Sequence, residues 1–167
     1  MPDEIDDIID AVIDAETDDD NPSKVTNDPS DGGGRTQYGI AERSNPRAWA
    51  DGKVTEEEAR AIYRRKYVDG PGFSKIVDSR LQHFLVDWGV ISGPGIAIKY
   101  LQQAIGTTVD GILGPKSLQA ANEADPGRLL NQLVDARVLM MCRIVQKAPS
   151  QARFIVGWCK RALEFRV

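Results

Sequence analysis

The 167 residues are enough for one ordinary domain, or a small domain with a compact extension. With 41% hydrophobic and 28% charged residues the composition is that of a soluble globular protein, and no apolar run approaches the roughly 18 residues of a membrane-spanning helix, so no stable membrane insertion is expected. The acidic start lacks the basic and apolar regions of a signal peptide, so the chain is expected to be made in the cytoplasm and to need another route out if it works elsewhere.

Ile5, Ile8, Ile9, Val12 and Ile13 recur at helical spacing and predict an amphipathic first helix. Glu16 lies four residues after Val12 and three after Ile13, while Asp6, Asp7, Asp10 and Asp14 lie mainly off that stripe. If the helix carries Glu16, its carboxyl is partly desolvated and its pKa raised, the property a general acid needs near neutral pH. If the helix frays first, the side chain is simply wet. Residues 17–34 are polar and rich in Gly, Pro, Asp and Asn, a long loop of the kind that is functional or disordered when found in a compact domain. A short extended segment, Thr36 to Ile40, leaves it.

Thr55 followed by Glu58 is a capping box opening a helix through about Tyr67, broken at Asp69-Gly70-Pro71-Gly72. Val77, Leu81, Phe84, Leu85, Trp88 and Ile91 mark a second strong stripe, and Ile98, Leu101, Gln102 and Ile105 a short helix after Ser92-Gly93-Pro94-Gly95. Pro115 suits the first position of another helix, and Asp125-Pro126 starts a long one carrying Leu129, Leu133, Val134, Val138 and Met141. Pro149 leads into a last helix with Phe154, Ile155, Trp158 and Leu163, its Trp158 expected in the core. The fold class is mainly α, about seven helices, with a long glycine-rich loop or short β segment after the first.

Charge is unevenly spread. Residues 1–31 hold 12 of the 25 acids and one of the 21 lysines and arginines, leaving 13 acids and 20 bases in the remainder. A basic body with an acidic edge suits an anionic polymer such as nucleic acid or a bacterial envelope, or is no more than solvated helix faces. No basic-aromatic motif or reading helix supports nucleic acid, so no nucleic-acid partner is expected. Cys142 and Cys159 fall in separate helices and read as buried, inert thiols; with His83 the single histidine, Cys and His alone assemble no zinc ligand set. His83, in an apolar helix, reads as structural.

The segment Asn27-Asp28-Pro29-Ser30-Asp31-Gly32-Gly33-Gly34-Arg35-Thr36-Gln37-Tyr38-Gly39-Ile40 has the residues of an ordinary turn. Following a helix that ends in Glu, it also resembles the glycine loop of the bacteriophage and bacterial N-acetylmuramidases of glycoside hydrolase family 108. Further likeness lies in Phe73, Asp87 and Gly89, and in Phe154, Gly157, Trp158 and Arg161. The stretch from Ala97 to Gly106, followed by Val109-Asp110-Gly111-Ile112-Leu113-Gly114-Pro115, resembles that family's peptidoglycan-binding half. One departure is the 14 residues between Glu16 and Asp31, several more than the family pattern, with an apparent insertion around Asp18 to Lys24.

The resemblance implies a lysozyme-like helical fold, with a catalytic half over 1–92 and a peptidoglycan-binding half over 93–167 packed on it as one compact unit. It implies a peptidoglycan hydrolase cleaving the β-1,4 bond between N-acetylmuramic acid and N-acetylglucosamine. In that reading Glu16 is the general acid, Asp31 stabilises charge or activates water, and Thr36 positions that water. The Glu–Asp–Thr order resembles the phage-type lysozymes, which implies inversion. Gln37 and Tyr38 line the saccharide cleft, although Tyr38 also suits a core position. Asp87 and Trp88 are further substrate contacts, with an ion-pair or capping role for Asp87 and a core role for Trp88 as the alternatives. No metal or organic cofactor is implied. The expected setting is a monomeric phage endolysin that reaches the wall through a holin or another export route. The alternatives are a non-catalytic peptidoglycan-binding relative, or a bacterial muramidase that opens the wall for secretion.

Overall fold

The computed structural model describes residues 4–16, 23–27 and 34–167, with the side chains of Glu4, Ala15 and Glu16 outside that description. Among the described residues there are seven α-helices and one two-stranded hairpin, a mainly helical fold as expected. The chain divides into two compact units, Met1–Gly70 and Pro71–Val167.

In the first unit, α1 (Glu4–Glu16) forms where the isoleucine stripe predicts it. Ile8, Ile9, Val12 and Ile13 are all buried, each worth about 1.5–3 kcal/mol of transfer free energy. The flanking acids face a basic neighbour. Asp10 pairs with Arg60 of α2 (Glu56–Tyr63), and Asp6 lies 3.6 Å from Arg64 just beyond it. Part of the acidic edge is therefore an ion-pair seam within this unit.

The capping box at the start of α2 is formed in full. Glu58 N–H donates to Thr55 Oγ1 at 3.2 Å, and the Glu58 carboxylate accepts from Thr55 N–H at 2.8 Å. Those bonds hold the Glu58 carboxyl below the usual carboxylate range. The expected continuation to Tyr67 exists but changes winding, since Arg64–Asp69 is a π-helical segment closed by Gly70 N–H donating to Arg65 O at 3.0 Å. A Cβ on Gly70 would stand 2.6 Å from that same oxygen, so the wide turn needs glycine there.

The second unit opens with a 3-10 turn, Phe73–Lys75, and α3 (Ser79–Ser92). Leu81, Phe84, Leu85 and Trp88 are buried as the stripe predicts, but its two ends are not core. Val77 is 81% exposed because it precedes the N-cap Asp78, whose side chain accepts from Leu81 N–H at 2.8 Å. Ile91 is exposed as well. α4 (Pro94–Ile105), α5 (Pro115–Glu123) and α6 (Pro126–Lys147) follow, with proline at the start of each and Asp125 capping α6 through Arg128 N–H at 2.7 Å.

The loop between α4 and α5 is organised by one buried amide. Gln102 Nε2 donates to Asp110 Oδ1 (2.8 Å) and Ile112 O (3.0 Å), and its Oε1 accepts from Asp110 N–H (3.0 Å) and Gly111 N–H (2.9 Å). Gln102 thus serves as a bracket for the Asp-Gly-Ile turn rather than only as a helix-stripe residue.

The last elements depart most from expectation. Pro149–Phe154 is a 3-10 turn, and of α7 (Ile155–Leu163) only Ala162 is buried. Phe154 stacks on Trp158 at 5.8 Å, Trp158 is half-buried rather than core, and Val156 is 77% exposed. Cys142 is exposed and Cys159 half-buried, so the expected pair of buried thiols is not found. Burial, with Cys142 nearby, pushes the Cys159 thiol up. His83 is structural as expected, edge-on to Phe165 at 5.0 Å, and burial pushes its imidazole below the usual range.

Candidate active site

The predicted glycine loop ends in a two-residue hairpin. β1 (Thr36–Gln37) pairs antiparallel with β2 (Ile40–Ala41), Thr36 opposite Ala41 and Gln37 opposite Ile40. On its other side Thr36 exchanges both backbone bonds with Thr26, at 2.9 and 2.8 Å. Thr36 is therefore held in the middle of a three-segment ladder.

The two turn residues, Tyr38 and Gly39, have φ of 51° and 72°. Two positive φ values are what a type I′ hairpin demands, and Asn-Gly is the usual solution. Tyrosine at the first position is unusual, because its Cβ crowds the neighbouring carbonyl in the left-handed region. Among the described residues Tyr38 is the one non-glycine with positive φ, and it is half-exposed at the turn rather than buried as core filler. Strain of this kind gathers at ligand-binding positions.

Gln37 has a different role from the one expected. Its Nε2 donates to Ser23 O at 2.7 Å and its Oε1 accepts from Val54 N–H at 2.8 Å, so both ends of the buried amide are spent on backbone. It ties the hairpin to the segments on either side, and substrate binding through this amide is set aside. The period-two alternation explains the difference: Gln37 points to the core face of the hairpin.

A clamp the sequence reading missed sits one step further along the ladder. Arg35, opposite Glu42, makes two bonds to its carboxylate, Nε to Oε2 at 2.9 Å and Nη2 to Oε1 at 2.7 Å. Arg35 also donates to Gly52 O at 3.2 Å and stacks over Trp49, 4.8 Å from the ring centre. Trp49 in turn donates to Ile40 O at 3.2 Å. These bonds hold the Glu42 carboxyl below its ordinary range. The signal was available: opposite charges bracket a pair of short strands at mirror positions, the arrangement that stabilises cross-strand neighbours.

Helix α1 extends to Glu16 with Val12 and Ile13 buried in its preceding turn. The side chain of Glu16, and Asp31 altogether, lie outside the described residues.

Asp87 and Trp88 belong to the second unit and prove to be interior residues. Asp87 is 3% exposed; its Oδ2 accepts from Arg137 Nη1 at 2.7 Å, and its Oδ1 from Arg161 Nε and Nη2 at 2.9 and 2.6 Å. The ion-pair role replaces the substrate contact, since both carboxylate oxygens are already occupied by guanidinium groups. Burial lowers the Arg137 pKa, and the neighbouring Asp87 carboxylate opposes that. Trp88 is fully buried, stacked on Tyr100 at 5.0 Å and edge-on to Phe84 at 5.5 Å, so it too is core rather than cleft.

The family model described as Glycosyl hydrolase 108 matches residues 10–93. The chain belongs to this family. A second model, described as Predicted Peptidoglycan domain, matches residues 96–163. Among solved structures the chain is similar to Brucella abortus SagA at 27% identity, with 97% of this chain and 91% of that chain covered and a TM-score of 0.74. No curated protein sequence matches it. The chain is thus a glycoside hydrolase of the 108 family with a peptidoglycan-binding region, and peptidoglycan is its substrate class. The hairpin lies inside the hydrolase match, and the Gln102-bracketed turn inside the peptidoglycan-binding match.

Proposed function

We propose that this family 108 hydrolase cleaves the β-1,4 bond between N-acetylmuramic acid and N-acetylglucosamine, with Glu16 as general acid. A glycosidic oxygen leaves poorly unless it is protonated, so one carboxyl must be held neutral while the opposite face of the sugar is met by a base or nucleophile. Helical register supports Glu16, because α1 runs to it one turn beyond Val12 and Ile13, both buried. Asp31 takes the second position, stabilising charge or activating water. Thr36, fixed in the ladder between Thr26 and Ala41, positions that water. Tyr38 meets the saccharide.

The observation that carries this reading is the hairpin. It fixes Thr36 from both sides and bears a tyrosine in the left-handed region, within the segment matched to the hydrolase family. The catalytic half over 1–92 and the wall-binding half over 93–167 are proposed to work as one unit on the same strand. The test is clearance of purified sacculi by the full chain and by Glu16→Gln and Asp31→Asn. Both variants are expected to lose at least about 100-fold in rate with unchanged circular dichroism. Full activity in Glu16→Gln defeats the acid assignment. A chain that pelleted with sacculi yet released no new reducing ends would instead be a non-catalytic wall binder.

The proposed setting is host lysis by a monomeric phage endolysin that reaches the wall through a holin. Co-expression with a pore-forming membrane protein is then expected to trigger lysis that neither protein produces alone.

A further inference from the structure

The first unit carries an open pocket of about 590 Å³ between the turn after β2 and the face formed by α2 and its π-helical continuation. Its floor is apolar, from Pro46, Ala48, Ala61 and Ile62, and its polar lining is strongly basic. Arg47, Arg65 and Lys66 all contribute to the wall. Among the described residues none of the three is paired with a carboxylate. Lys66 Nζ donates to a neutral acceptor, Asn45 Oδ1, at 2.6 Å. The one acid in the lining, Glu58, has its carboxylate committed to the Thr55 capping box. This contrasts with the neighbouring Arg60 and Arg64, which are answered by Asp10 and Asp6.

Three cations that pair with no carboxylate among the described residues, set around an apolar floor, are arranged for a ligand that is anionic at one end and aliphatic at the other. Arginine supplies paired N–H groups that match a carboxylate, and the fixed ammonium of Lys66 adds a third donor. Peptidoglycan offers such groups in its stem peptides, which carry free carboxylates on short aliphatic residues. Resting on the reading of peptidoglycan as substrate, we propose that this pocket seats a stem-peptide carboxylate. It makes the enzyme a reader of peptide-bearing strands and not of bare glycan.

The experiment is an NMR titration of the full chain with an L-alanyl-D-glutamyl-diaminopimelate tripeptide, with its fully amidated analogue, and with inorganic phosphate. The tripeptide is expected to shift the backbone amides of residues 44, 45, 47, 48 and 61–66. Amidation and the exposed-site double variant Arg47→Gln/Arg65→Gln are each expected to raise its Kd about tenfold. That variant should digest stem-free glycan chains at the wild-type rate and intact sacculi more slowly. Equal affinity for the amidated peptide, an unchanged Kd in the double variant, or displacement of the tripeptide by equimolar phosphate would overturn the proposal. Tripeptide binding by a wild-type chain that leaves sacculi uncut would uphold the pocket and refute the hydrolase reading. Cutting of sacculi without tripeptide binding would refute the pocket alone.

Discussion

Replacing Asp87 by alanine should cost the second unit about 3–5 kcal/mol, the usual result of stripping one partner from a buried ion pair. The magnitude follows from what is left behind. The Arg137 side chain is 0% exposed, and among the described residues its Nε and Nη2 have no hydrogen-bond partner. Losing Asp87 removes the one hydrogen bond this guanidinium makes among the described residues and leaves its charge in a wall of rings, 5.5 Å from Phe84 and 5.9 Å from Trp88. Arg161 is 23% exposed and can turn toward water, so Arg161→Ala should cost less, about 1–2 kcal/mol. Thermal unfolding followed by circular dichroism reads these as a fall of roughly 10 °C for Asp87→Ala and a few degrees for Arg161→Ala. Pairing Asp87→Leu with Arg137→Met should recover more than half of the loss, because an apolar pair of similar volume has no charge to strand. A loss under about 1 kcal/mol in Asp87→Ala, together with loss of hydrolysis, would refute the reasoning and return Asp87 to the substrate.

Further outcomes follow from other contacts. Tyr38→Asn should raise stability by about 0.5–1 kcal/mol by relieving a left-handed tyrosine, while lowering the rate on sacculi about tenfold; matched denaturation and activity assays separate the two effects. Gln37→Ala leaves Val54 N–H and Ser23 O without their partner and should cost about 1–3 kcal/mol, with faster hydrogen exchange at Val54. Burial holds the folded imidazole of His83 below its unfolded value of about 6.5, so the unfolded chain binds the extra proton first. Stability contributed by neutral His83 should therefore be present above pH ~6.5 and fall as pH drops through and below that value. The melting temperature of His83→Gln should depend less on pH between 7.5 and 5.5 (roughly the titration range of histidine) than that of the wild type.

What could be read in advance was local. The α1 stripe, the Thr55–Glu58 box and the Asp125 cap each involve residues three or four apart, where helix geometry alone decides the contact. The interior position of Asp87 was not legible, because its partners stand 50 and 74 residues away and only the packing of α6 and α7 against α3 brings them in. Gln37 misled for the opposite reason. It sits in a polar loop sequence whose residues suit a cleft, and its real partners, Ser23 and Val54, are backbone groups that carry no mark in the sequence. Val77 and Leu163 show the limit of counting apolar residues: the same spacing continues past a helix cap or along an uncovered face, and periodicity does not say which face has a neighbour. At the candidate active site, the hairpin was foreseen as a short extended segment, whereas the Arg35–Glu42–Trp49 clamp depends on strand register.

The reaction proposed for this chain is hydrolysis of the muramic acid glycosidic bond with Glu16 as the proton donor. Mass spectrometry of the soluble products from purified sacculi tests it most directly. The wild-type chain is expected to release muropeptides ending in reducing N-acetylmuramic acid, and Glu16→Gln none above background. Anhydro-sugar ends, N-acetylglucosamine reducing ends, or undiminished product from Glu16→Gln would contradict it.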